Sequence, residues 1–129
     1  MGQDFEIGVY YFPQYHVDKK NERWHGVGWT EWEMLKRATP RFPGHQQPKI
    51  PRMGYYDESS PKVAELQISM AADHGIDTFI YDWYWYEGDP FLNAALDQGY
   101  LQAQNNDRLK FALMWANHHW VNLYPAKTA

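Results

Sequence analysis

The sequence predicts a parallel α/β fold, and three observations carry that reading. Three short apolar runs, at 6–12, 78–82 and 109–115, are too short for helices and rich in β-branched or aromatic residues. Two stretches with helical spacing lie between them, each opened by a cap and a proline. The order strand, helix, strand, helix, strand then calls for right-handed crossovers between parallel strands.

Strand one holds Ile7, Val9, Tyr10, Tyr11 and Phe12 and is closed by Pro13, which has no N–H for a ladder. Residues 13–59 follow, too many for an ordinary connection; segments of that length in compact domains usually carry function. One short helix is expected inside it. Thr30 and Glu33 have capping-box spacing, Met34, Leu35 and Ala38 follow, and Pro40 ends the turn. Pro40, Pro43, Pro48 and Pro51 then interleave with Arg41, Phe42, His45 and Gln47 in a stiff irregular stretch.

The first long helix opens with Ser60 as cap and Pro61 at its first position. Val63, Leu66, Met70 and Ala71 form its apolar stripe, and Gly75 stops it. Strand two comes next at 78–82. A second helix is expected from Asp89 as N-cap and Pro90, packing through Leu92, Ala95, Leu96 and Gly99 and fraying by Asn105 and Asn106. Strand three ends at Trp115. There is no internal repeat and no low-complexity tract.

Composition narrows the classes. Leu, Ile, Val and Phe supply only 24 of the 129 residues, a poor aliphatic core, but the net charge of −4 is too small for a disordered chain of that content. Seven Trp, ten Tyr and six Phe make up the deficit, since each ring buries more area than a Leu. Many fall at strand exits and in 13–59, so the excess reads more as a binding surface than as a substitute core. No window approaches the roughly 20 apolar residues of a membrane span. The first six residues match neither a signal peptide nor a myristoylation signal, and without Cys the default expectation is a cytoplasmic chain. Twelve Lys and Arg without a basic stripe argue against nucleic acid.

In parallel α/β folds ligands meet the loops beyond the carboxyl ends of the strands. Strand one runs out into Tyr11, Gln14, Tyr15 and His16; strand two into Asp82, Trp83 and Trp85; strand three into Trp115, Asn117, His118, His119 and Trp120. A sugar ring needs flat rings to stack on and carboxylates, amides or imidazoles for its hydroxyls, and all three exits offer that mixture. Any one of these Trp residues fills a core as readily. Asp82 is the best-placed carboxylate, either catalytic or a buried group that shapes the site. Glu31, between Trp29 and Trp32, either binds substrate or sits on a first helical turn. No His pair has helical metal-ligand spacing, so neither a metal nor a cofactor is expected.

These residues together resemble a known family. Tyr10 to His16, Gly28 to Trp32, Phe42 to Pro51, Gly54 to Asp57, Gly75 to Phe79 and Met114 to Trp120 stand in the order seen in glycoside hydrolase family 99-like proteins, including the WbsX-type glycosyltransferases. The resemblance implies a (β/α)8 TIM barrel acting without metal on α-linked mannose- or rhamnose-type polysaccharide, its catalytic carboxylates beyond the third strand. Such a barrel takes about 250 residues. Residues 1–129 are therefore expected to be the N-terminal part of one barrel: three parallel strands, two crossover helices and a long loop after strand one. Tyr11, Trp29, Glu31, Trp32, His45, Tyr56, Asp82, Trp115, Asn117 and His119 are expected to face the glycan, and Asp82 is the one in-chain catalytic candidate. A non-catalytic glycan-binding module and a transferase of polysaccharide synthesis are the alternatives. The open sheet edges call for a complementary barrel fragment or self-association.

Overall fold

A computed structural model of the chain describes residues 5–117. Its sheet is built on β2 (Thr78–Tyr86), flanked by β1 (Gly8–Tyr11) and β4 (Lys110–Trp115), with β3 (Asp89–Phe91) against its far end. Both long pairings are parallel: Gly8 to Tyr11 register with Thr78 to Tyr81, and Thr78 to Trp83 with Lys110 to Trp115. The three predicted strands and their order are therefore present. The sheet is open, and it forms no closed barrel among the described residues.

Two crossovers cover one face. The first carries α3 (Pro61–Asp73), which starts where Ser60 and Pro61 predict and ends by His74 and Gly75. Its buried face is Ala64, Ile68 and Ala71, whereas Leu66 and Met70 of the predicted stripe are exposed. The small residues win because they let the helix approach the sheet closely. The second crossover is a π-helical turn, Ala95–Gly99, running into a 3-10 turn, Tyr100–Gln102. Here Gly99 leaves no room for a side chain: a Cβ would lie 2.2 Å from the carbonyl oxygen of Glu58. The core gathers Phe79 and Tyr81 of β2 with Ile68, Leu96, Tyr100 and Leu109. Several rings thus do serve as core, with Trp32, Tyr84 and Phe91 buried as well, which corrects the reading of the aromatic excess as mainly surface.

The expected helix from Asp89 is instead a hairpin. Glu87 and Gly88 both have positive φ, the two-residue turn whose twist suits antiparallel strands, so β2 continues to Tyr86 and folds back as β3. Pro90 is accommodated because it lies on an edge strand. A further helix, α1 (Lys19–His25), lies within the expected long loop; the Asp18 carboxylate caps it by accepting from Lys20 N–H at 2.7 Å. The short helix is present as α2 (Trp32–Lys36), but Glu31 is its first flanking residue and Glu33 pairs with Lys36 rather than capping.

Candidate functional site

The exit of β1 is fixed by a carboxylate that the sequence does not advertise. Glu58, buried, accepts from the Tyr11 hydroxyl at 2.8 Å and from Tyr15 N–H at 2.8 Å, while its own N–H donates to Tyr15 O. Fully buried His16 lies beside it, Nδ1 to Oε2 3.9 Å. Burial, and then the nearby charge of Glu58, push the Tyr11 hydroxyl far above the ordinary phenol range. An acid just ahead of a helix cap reads as a solvated helix-terminal charge, so nothing local marks Glu58 as the tie between the exit of β1 and the start of α3.

Held in this way, Tyr15 stacks on Trp32, ring centroids 3.9 Å apart, and Tyr56 meets Trp32 edge-on at 5.0 Å. The Trp32 indole N–H donates to Tyr56 O at 2.7 Å, which locks α2 to the segment before Glu58. Burial and the charge of Glu58 push the Tyr56 hydroxyl up to about 12. Beside this wall opens a cleft of ≈ 610 Å³ lined by Gln14, Tyr15, Glu31, Arg41, His45 and Gln47, among others. Glu31 is buried in it, and no donor among the described residues hydrogen-bonds its carboxyl. Desolvation holds its pKa above the usual carboxylate value, so it keeps its proton more readily than a surface Glu. His45 stacks on Phe42 at 4.5 Å, and its Nδ1 accepts from Arg41 N–H at 3.2 Å, which leaves the ring proton on Nε2.

The expected site residues divide into groups. Glu31 and His45 line the cleft, and Trp32 and Tyr56 back it. Asp82 sits at the β2 exit, where its Oδ2 accepts from the Tyr84 hydroxyl at 3.4 Å. Trp115, 68% exposed, and exposed Asn117 mark the end of β4; none of these three lines the cleft. Tyr11 lies on the helix-covered face, and Trp29 packs on His25 at 4.4 Å. His118, His119 and Trp120 fall outside the described residues. Among the described residues no group of three His, Asp or Glu is placed to hold a metal ion.

A parallel α/β sheet whose first strand exit opens into a polar, ring-walled cleft defines an α/β protein with a ligand-sized site at its strand ends. The chain belongs to the family described as glycosyltransferase WbsX, whose model matches residues 7–129. It is 35% identical over 120 residues to WxcX, a protein described as uncharacterized, from Xanthomonas campestris pv. campestris strains B100 and ATCC 33913. That match covers 92% of this chain and 17% of each relative, so the chain spans about a sixth of their length. No solved structure matches.

Proposed function

We propose that the chain forms the first three strands, and part of the sugar-holding surface, of a (β/α)8 barrel that moves glycosyl groups. The observation that carries the reading is the cleft, where a protonatable carboxyl and an imidazole N–H stand beside stacked rings at a strand exit. Those are the two halves of a sugar site: faces for C–H bonds and directed groups for hydroxyls. The barrel reading draws support from topology. The parallel strands are neighbours in chain order and both crossovers lie on one face, whereas a doubly wound sheet reverses its order. Period-two alternation puts Tyr10, Ile80 and Ala112, which are in register, side by side on the other face as in a barrel layer.

In this reading Glu31 and His45 bind hydroxyls or the glycosidic oxygen, and Tyr15, backed by Trp32, carries a ring. Asp82, Trp115 and Asn117 reach the same glycan from the neighbouring exits, and His119, outside the described residues, is a glycan-binding candidate on the sequence alone. The catalytic carboxylates come from strands beyond the third, with Asp82 as the candidate within this chain. The family's description favours transfer to a sugar acceptor; hydrolysis is the same displacement with water in the acceptor's place. Calorimetric titration of the intact protein with mannotetraose and with a rhamnose-containing oligosaccharide tests the reading. Binding of one of them that weakens about tenfold in Glu31→Gln, the loss of one carboxyl hydrogen bond, supports it. If folded protein binds neither glycan, the reading falls. Unchanged turnover in Asp82→Asn reduces Asp82 to a structural role.

A further inference from the structure

The charges of this chain are segregated around the cleft. Residues 34–56 contain Lys36, Arg37, Arg41, Lys49 and Arg52 and not one Asp or Glu, in a chain whose net charge is −4. Elsewhere among the described residues each Lys and Arg has a carboxylate within 4 Å: Lys19 and Lys20 with Asp89, Arg23 with Glu87, Lys62 with Glu65, Arg108 with Asp73, Lys110 with Glu6. Lys36 is likewise paired, with Glu33. Arg37, Arg41, Lys49 and Arg52 form no ion pair among the described residues, and the first two line the cleft. A guanidinium is a planar fork of donors suited to carboxylate or phosphate oxygens, and two in one cleft with no carboxylate within 4 Å among the described residues, together with an imidazole N–H, make an anion-binding set.

We infer that the cleft takes a sugar bearing an anionic group, whose carboxylate or phosphate oxygens are held by Arg37 and Arg41 while Glu31 and His45 engage its hydroxyls. The inference rests on the glycan reading above and names the substrate class of that site. Glu31 is the one carboxyl lining the cleft, and burial raises its pKa, so it opposes such a ligand less than a surface carboxylate would. A long polyanion is disfavoured by the chain's net charge of −4, which repels whatever extends beyond the cleft.

Calorimetric titration of the intact protein with trigalacturonic acid, UDP-glucose and neutral mannotetraose separates the cases. The expected result is that one of the two anionic sugars binds at least about tenfold tighter than mannotetraose. That margin should shrink as salt rises from about 0.05 to 0.5 M, and should vanish in Arg37→Ala/Arg41→Ala, where binding of the anionic sugar falls to the level of mannotetraose. Trigalacturonic acid as the tighter ligand assigns the anion to a uronic acid, and UDP-glucose assigns it to a diphosphate. Lys49→Ala/Arg52→Ala, which leaves the cleft wall intact, should change the margin less than twofold; an equal loss there would mean diffuse attraction and overturn the inference. Equal binding of neutral and anionic sugars overturns it and leaves the glycan reading standing. No binding of any of the three removes both.

Discussion

Glu31 is a carboxyl that folding withdraws from water without giving it a donor among the described residues. Its pKa is therefore higher folded than unfolded, so the folded state binds more protons over that interval and stability falls as pH rises through it. Glu31→Gln removes the titration while keeping the shape. The variant should melt above the parent at about pH 7, and the gap should close near pH 3.5, below the group's ordinary value of 4.5, where both are neutral. Melting curves at the two pH values check this, and an equal gap at both would mean that packing, not charge, sets the difference. The same residue shows what a sequence discloses at this scale. A Glu between two Trp residues invites a site, and it lines the cleft. Glu58 invites nothing, because its partners Tyr11, Tyr15 and His16 meet it only after the strand, the loop and α3 have been brought together.

Elements were legible where the pattern was local. Ser60 with Pro61 marks α3, and the three apolar runs mark β1, β2 and β4, because caps and short apolar segments need no tertiary partner to be recognised. The region 86–92 misled because Asp-Pro is a helix opening by composition, while positive φ at Glu87, Gly88 and Leu92 is fixed by how the hairpin docks. That docking partner is α1. Lys20 Nζ, buried, donates to Tyr86 O at 2.8 Å, Arg23 pairs with Glu87 at 3.0 Å, Lys19 pairs with Asp89, and Trp24 meets Phe91 edge-on. Asp18 joins the two elements most directly. One of its oxygens caps α1, and the other accepts from Leu92 N–H at 3.1 Å, a donor otherwise stranded in the interior. Asp18→Ala should therefore cost more than a cap alone, about 2–4 kcal/mol in denaturant unfolding. A loss below about 1 kcal/mol would show that α1 and the hairpin are held by their apolar contacts instead.

Over the whole molecule, the stability problem is the sheet's open sides. β4 is exposed along its length on both faces, presenting Phe111, Leu113 and Trp115, and β1 leaves Tyr10 75% exposed. A flat apolar edge is a template for another strand, which in the proposed barrel is the next strand of the same domain. The ladder shows how to test this without damaging the fold. Lys110 N–H donates to Asp77 O and Ala116 N–H to Trp83 O, and parallel ladders send alternate N–H groups to opposite neighbours. The N–H groups of Phe111, Leu113 and Trp115 therefore point away from β2. Leu113→Pro deletes an outward donor and places a ring on the free edge while every bond to β2 remains, a position where strands tolerate proline. Residues 1–129 produced alone should associate as concentration rises, read as increasing mass in analytical ultracentrifugation, and Leu113→Pro should shift that association to higher concentration with unchanged far-UV circular dichroism. A parent chain that stays monomeric to about 1 mM, far above the range in which exposed strand edges associate, would mean that β4 needs no partner and would remove the main physical reason for completing the sheet into a barrel.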